Sequence, residues 1–358
     1  MKIIHTGDIH IGSAMQTLPP AKAKLRQMEL LDHFRSLCAY AKDESVTAVL
    51  IAGDLFDDNY VDEQVLGELF FIIEQASPVS FYYAQGNHDE YIRLKKVPEN
   101  FHTFSNEQGW TSYPLPENVV VTGANTYSFR QELFESLQLE KERFHIVVLH
   151  GDIYAPTAKD GILLSALKEK NIDYLALGHI HKTMRESERL DGRGKYRYCG
   201  CLEARGFDEC GEHGFFLLEI QDGKLQSETF KSFSKRKVWD LKADVTSAQS
   251  YYDVERIATL ALQEARSEDI IKLTLVGAHE VTLKKDKAVL SERLNDRYFF
   301  VKIYDESKPV LDLETLKTDV SEKGEFVRIA LQEEMDEAFL QEVLEVGLKA
   351  FYGEEIDV

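Results

Sequence analysis

The sequence predicts an α/β layered domain with mixed sheets, followed by a small α+β module. Two observations carry that prediction. Through the first 235 or so residues, short apolar runs rich in β-branched and aromatic residues alternate with amphipathic stretches. Around Lys231-Ser232-Phe233-Ser234-Lys235-Arg236-Lys237 the composition turns basic, and a sparser alternation of helix and strand patterns follows.

Met1–His5, Val46–Ala52, Val79–Ala84, Ile146–Leu149 and Tyr174–Leu177 read as buried strands, mostly bounded by Gly, Asp or Asn. Residues Leu25–Ala41 place Met28, Leu31, Phe34 and Cys38 on one helical face, and Glu63–Ala76 reads as a second helix. Lys195–Cys201 and Gly214–Ile220 are strand-like with no long helix between them, which predicts an antiparallel addition. The basic segment marks a boundary: residues 1–235 form one domain, 236–267 a linker and helix (Tyr251–Ala265), and 268–358 the small domain. The latter holds strands at Ile270–Val276 and Tyr298–Tyr304 and a final helix over Glu334–Phe351. Met335, Phe339, Val343, Val346, Leu348 and Phe351 make that helix amphipathic, and the simplest reading packs its stripe on its own domain.

The chain of 358 residues is 44% hydrophobic, enough for a sizeable core, so wholesale disorder is excluded. Its net charge is −20, and residues 268–358, with 22 acids against 12 bases, hold half of that excess. Holding nucleic acid by bulk charge is excluded; metal ions, local basic side chains or a partner would have to do it. No apolar run approaches the roughly 18 residues of a membrane span, so no membrane partner is expected. The N-terminus turns polar at His5-Thr6 and does not read as a signal peptide. Four cysteines without such a signal predict free thiols in a reducing cytoplasm.

Five motifs sit where expected strands end: Gly7-Asp8-Ile9-His10, Gly53-Asp54-Leu55-Phe56-Asp57, Gly86-Asn87-His88-Asp89, Leu149-His150-Gly151-Asp152 and Gly178-His179-Ile180-His181. Ligands of open α/β sheets collect at the carboxyl ends of strands, so these loops can converge. Asp8, His10, Asp54, Asn87, His150, His179 and His181 would suffice for two divalent metal ions. Mixed imidazole and carboxylate donors suit Mn, Fe or Zn better than Ca.

Taken in this order, the motifs resemble the calcineurin-type metallophosphoesterase superfamily over residues 1 to about 205. Two stretches further resemble the SbcD-type nucleases, catalytic subunits of a double-strand-break processing complex. One is Asp8-Ile9-His10-Ile11-Gly12 followed by Leu25-Arg26 and an amphipathic helix. The other is Gly178-His179-Ile180-His181-Lys182 followed by Tyr198-Cys199-Gly200-Cys201-Leu202-Glu203. The resemblance implies a four-layer αββα sandwich with a small C-terminal cap domain. It implies that Asp8, His10 and His181 bind one metal, that Asn87, His150 and His179 bind the other, and that Asp54 bridges them. His88 is then no ligand but faces the scissile phosphate, with Asp57 orienting it. The implied cofactors are two divalent ions, Mn first, with Mg, Fe or Zn as alternatives. The implied activity is that of a DNA exonuclease with endonuclease action in DNA repair. The implied partners are DNA, an SbcC-like coiled-coil ATPase subunit and a second copy in a homodimer. Under this resemblance the stripe on the final helix becomes a docking surface for the ATPase.

An acid at position 57 matches the superfamily's phosphatases, whereas some of its nucleases have His there. A phosphodiesterase or phosphatase acting on small nucleotides or phosphoproteins therefore stays open as the alternative. Asp89 and Asp152 are expected to hold ligand histidines from behind. Arg205 is expected to contact a phosphate, with a salt bridge to an acid as the competing reading. Arg193, Lys195 and Arg197 are placed along the same cleft. Cys199, Cys201, Cys210 and His213 lack the spacing of ordinary zinc sites and read as free thiols with a histidine nearby.

Overall fold

The strands of the first half divide their side chains between two cores, and that alternation sets the layering. The computed structural model describes residues 1–57, 61–89, 94, 96–104, 109–126, 129–280, 282–310 and 313–352. It separates into two units, Met1–Val238 and Trp239–Val358. The first runs β1 (Lys2–Thr6), α1 (Pro20–Asp43), β2 (Ala48–Ala52), α2 (Glu63–Gln75), β3 (Ser80–Ala84), β4 (Phe101–Thr103), β5 (Thr111–Leu115) and β6 (Val119–Gly123). It continues with α3 (Gln131–Ser136), β7 (Phe144–His150), α4 (Leu164–Leu167), β8 (Tyr174–Gly178), β9 (Glu188–Arg189), β10 (Lys195–Tyr198), β11 (Gly214–Gln221) and β12 (Lys224–Ser232).

Two six-stranded sheets result, ordered β12-β11-β1-β2-β3-β4 and β5-β6-β7-β8-β10-β9. Ile3, Leu50, Tyr82, Val121, Ile146, Val148 and Ala176 point into a shared core between the sheets. Their neighbours Ile4, Val49, Ile51 and Phe81 point outward against Phe34, Leu37 and Cys38 of α1 and Leu69 and Ile73 of α2. On the other side Val147, Leu149, Leu175 and Leu177 meet Leu133 and Phe134 of α3 and Leu167 of α4. Strand periodicity of two thus produces the four-layer αββα sandwich.

Both sheets are mixed: β1 to β4 and β6-β7-β8 are parallel, while β11, β12 and β5 add antiparallel. The strand at Lys195 departs from expectation. It pairs parallel with β8, and the antiparallel neighbour is the short β9. The connection from Gly178 to Lys195 is long enough for a parallel crossover without a helix. Pro114 lies within β5, which is tolerated because that strand is at the sheet edge.

The buried face of α1 also differs from the face read off the sequence. Met28 is 54% exposed, and Leu30 and Leu37 are inside with Leu31, Phe34 and Cys38. The reason is polar: Arg26, Glu29 and His33 share the inward side. Arg26 donates to Glu29 (2.9 Å), Glu203 (2.7 Å) and the Ala204 carbonyl (3.1 Å). Arg236, from the basic segment, is buried and donates to both Glu29 oxygens (2.9 and 2.6 Å). Burial alone would raise the Glu29 carboxyl, but Arg236, Arg26 and Lys235 pull it down to about 2.

In the second unit β13 (Val238–Asp244), α5 (Tyr251–Ala261), β14 (Ile270–Val276), β15 (Ala278–Glu280), α6 (Lys287–Asn295), β16 (Phe300–Asp305) and β17 (Lys308–Val310) are followed by α7 (Leu313–Thr318), α8 (Glu322–Ala330) and α9 (Glu337–Tyr352). Strands β13, β14 and β16 form a sheet whose Ile271, Leu273 and Val301 pack on Val254 and Ala258 of α5 and Leu290 of α6. The stripe of α9 is split. Leu344 and Leu348 are buried against Val327 and Ala330 of α8, while Phe339, Val346 and Phe351 are exposed. Among the described residues, no helix is long and apolar enough to cross a membrane.

Removing Arg26 leaves the buried Glu203 carboxylate without its guanidinium and takes one cation from Glu29. Arg26→Ala should lower unfolding stability by about 3–5 kcal/mol in a denaturant titration, whereas Lys24→Ala on the exposed side of the same helix should stay within about 0.5 kcal/mol.

Candidate metal centre

All five motif loops leave the carboxyl ends of strands: β1 and β2 lead to Asp8/His10 and Asp54/Asp57, β3 to Asn87/His88, β8 to His179/His181, and His150 is the last residue of β7. The first two loops are bonded backbone to backbone. Asp8 N–H donates to Gly53 O (3.0 Å), His10 N–H to Asp54 O and Ile11 N–H to Leu55 O (both 2.9 Å). The two sheets close on each other here with almost no spare room. A Cβ at Gly178 would lie 1.8 Å from the Ala52 carbonyl, and one at Gly53 (φ +81°) would lie 2.2 Å from His150 Nδ1. Asp8, His10, Asp54 and His179 have positive φ (48°, 50°, 46° and 106°), uncommon for residues with a Cβ and typical of constrained functional loops.

The seven expected ligands come together. His10 Nε2 lies 3.3 Å from His181 Nε2, and Asp8 Oδ1 is 3.9 Å from the latter. On the other side Asn87 Oδ1 is 2.9 Å from His150 Nε2 and 3.2 Å from His179 Nδ1, with the two imidazoles 3.3 Å apart. Between these groups stands Asp54, its Oδ2 3.3 Å from His150 Nε2 and 3.6 Å from His10 Nε2. His88 is exposed and forms a third cluster with His10 and Asp57, their donor atoms within 4.8 Å of one another, its Nδ1 3.7 Å from Asp57 Oδ1 and its ring edge-on to His10 with centroids 5.0 Å apart.

The donor set fits divalent cations. Ligand bonds of about 2.0–2.1 Å put two donors on one ion roughly 3 Å apart, the spacing seen within each imidazole pair. His150 Nδ1–H donates to Ala52 O (2.9 Å), which leaves Nε2 facing only Asn87 Oδ1, Asp54 Oδ2 and another imidazole nitrogen. Only a proton or a cation belongs in such a place. Burial opposes a charge on His150, yet Asp54 and Asp8 outweigh it and raise the imidazole to about 10. Asp8, fully buried, is pushed up to about 6 by desolvation despite His150 and His181, whereas the same histidine holds buried Asp54 low. Burial also lowers His10 and His179, favouring their neutral, liganding forms. His88 moves the other way, because Asp57 stabilises its charged form.

Several polar residues take places that sequence reasoning did not assign. Asp89 holds no histidine: its carboxylate accepts the backbone N–H groups of Phe56 and Gly86 (both 2.9 Å), tying the second loop to the third. Buried and close to the Asp54 charge, it is raised to about 7. The Asp152 carboxylate accepts Tyr154 N–H (2.6 Å) instead of bracing a ligand. The acid behind His181 is Glu209, whose Oε1 lies 2.7 Å from Nδ1. Arg205 lies beside His181, its Nη2 2.9 Å from Nδ1, and its Nε and Nη2 donate to Glu209 (3.3 and 2.9 Å), which is the salt bridge of the competing reading. Arg193 and Arg197 pair with Asp173 and Glu228. Cys199 and Cys201 are buried free thiols and Cys210 is an exposed one. Glu209 carries no motif of its own; the only sequence hint is its place in the same polar stretch as Arg205 and Cys210.

A family model for calcineurin-like phosphoesterases matches residues 1–183, just over half of the chain. The chain belongs to that family. This phosphoesterase is 27% identical over 325 residues to an uncharacterised metallophosphoesterase, YhaO, of Bacillus subtilis, covering 82% of this chain and 76% of that one. It is 24% identical to SbcD of the SbcCD nuclease of Escherichia coli (63% and 67% covered) and 24% identical to the DNA double-strand break repair protein Mre11 of Haloferax volcanii (98% and 75%). A solved dimetal phosphatase from Danio rerio superposes with a TM-score of 0.45 at 12% identity, covering 62% and 92%. The expectation of a metal-dependent phosphoesterase is borne out.

Because Asp54 and Asp8 favour the protonated form of buried His150, cation binding at this cluster should expel protons. Calorimetric titration in two buffers of different ionisation enthalpy should show net proton release at pH 7. Affinity should fall as pH is lowered from 8 to 5.5; affinity independent of pH would contradict this account.

Proposed function

We propose that the protein is a two-metal phosphodiester hydrolase, a Mn-dependent DNA exonuclease with endonuclease action in break repair. Asp54 supports this reading most: one carboxylate oxygen lies within 3.6 Å of imidazoles from both ligand groups. In this reading Asp8, His10 and His181 hold one cation, Asn87, His150 and His179 hold the other, and Asp54 bridges. Bound there, the cations polarise the phosphoryl group and furnish a nucleophilic water at neutral pH. The protein's own part is to orient and to move one proton. His88 is exposed beside the ligand groups, and Asp57 shifts its imidazole upward by favouring the charged form. It can therefore deliver a proton to the departing alkoxide oxygen. Arg205, turned to the site by Glu209, supplies positive charge for a non-bridging phosphate oxygen.

DNA as substrate is supported by relatives named as a component of the SbcCD nuclease and as Mre11 double-strand break repair proteins. By the same resemblance an SbcC-like coiled-coil ATPase is the partner, the exposed apolar edge of α9 a place for it to dock, and a homodimer the working form. The second unit, Trp239–Val358, which contains the 268–358 region, is the accessory domain and the cytoplasm the compartment. A net charge of −20 makes isolated DNA binding weak and salt-sensitive. The second reading, a phosphodiesterase or phosphatase for small nucleotides or phosphoproteins, is favoured by Asp57 beside His88 and by that acidity.

Incubation with Mn and linear duplex DNA, single strands, a cyclic dinucleotide and an aryl phosphodiester separates the two. Cleavage of DNA is expected; rapid small-ester hydrolysis with intact DNA would select the second reading. His88→Ala should keep two cations by elemental analysis while turnover drops about 10²–10⁴-fold. Asp54→Asn should weaken both cations together, and loss of one alone would refute the bridging role.

A further inference from the structure

Cys201 and His213, which follow the last motif, flank one buried acid. Glu209 is only 7% exposed. Its Oε1 lies 2.7 Å from His181 Nδ1 and accepts from Arg205 Nη2 at 2.9 Å, a nitrogen that is itself 2.9 Å from the same Nδ1; its Oε2 accepts from the Arg205 backbone N–H at 2.7 Å. The acid is itself held. Its carbonyl is 2.9 Å from His213 Nε2, the other nitrogen of that ring is 3.1 Å from Cys201 Sγ, and the thiol reaches back to Oε2 at 3.7 Å. Behind Arg205, the preceding Ala204 carbonyl and the Glu203 carboxylate are fixed by buried Arg26. Thus the carboxylate has little freedom to turn.

We propose that Glu209 is a positioning residue that sets both the His181 ring and the Arg205 guanidinium, so that one cation site and one phosphate-directed charge depend on a single carboxylate. This rests on the two-metal reading above. Glu209 Oε1 and Arg205 Nη2 both approach His181 Nδ1 (2.7 and 2.9 Å), so the acid holds the ring from behind while its Nε2 faces His10 Nε2 at 3.3 Å. Carboxylates behind ligand imidazoles orient the ring and raise its basicity, and their loss commonly weakens cation binding about 10–100-fold. By binding Nε and Nη2 of Arg205 as well, Glu209 aligns the guanidinium with the same ligand. The Cys201–His213 pair serves as its clamp and needs no metal of its own.

The test is cation binding to the full chain without substrate, by calorimetric Mn titration of the wild type, Glu209→Gln and Glu209→Ala. In Glu209→Ala one of the two affinities should fall about 10–100-fold while the other stays within about threefold. Glu209→Gln keeps a carbonyl acceptor for His181 and should recover most of that affinity. Against whichever phosphodiester the wild type cleaves, it should raise KM more than it lowers kcat, since the ion pair with Arg205 is gone. Two unchanged affinities, an equal loss of both, or a Gln variant as impaired as Ala would each overturn the proposal. If Glu209→Ala does not fold, the Gln variant's wild-type affinities together with wild-type KM would overturn it as well. None of the binding outcomes depends on DNA being the substrate, so the proposal and the nuclease reading can fail separately.

Discussion

Everything around the site follows from placing two carboxylates, Asp8 and Asp54, in a spot closed to water. Neither acid is more than 2% exposed, and both face the same imidazoles. Ionised carboxylates in such a place require positive charge at close range. Asp54 and Asp8 favour a proton on His150, which a cation bound in the same place would make redundant. That exchange accounts for a cluster built almost wholly from acceptors. It also accounts for the loops: left-handed backbone at four ligand positions is an unfavourable local conformation, held by the interlocked backbone of the β1 and β2 loops and by the Asp89 carboxylate bonding to two of their neighbours.

What the sequence disclosed about the site was local, and local chemistry was enough. Each ligand stands beside a strand end marked by apolar residues and glycine, so strand order was not needed to foresee convergence. The layered α/β character was legible for the same reason, as buried parallel strands are apolar on both faces. What escaped depended on partners distant in the chain. Met28 fits the helical stripe of α1, yet Arg26 and Glu29 take the inward face because Glu203 and Arg236 are there to meet them. The parallel pairing of the Lys195 strand is fixed by a crossover with no regular structure to announce it. Glu209 was invisible because an isolated acid in an acidic chain has no pattern; its partner His181 is 28 residues away. Asp89 was noticed but given the wrong partner, since its position beside His88 suggests an imidazole and its buried side chain instead reaches backbone amides.

The buried ion network bears on where this catalytic unit can be divided. The matched family segment ends at residue 183, and the seven candidate ligands all lie within it. Yet β11, which comes later, is the neighbour of β1 in the first sheet, and its Phe216, Leu218 and Ile220 help fill the core between the sheets. Glu203 and Arg236 complete the charge balance of α1 from the same late stretch. Residues 184–238 are therefore not an appendage that could be exchanged for another while the first 183 stay as they are. A junction that leaves this interior intact has to fall after Arg236.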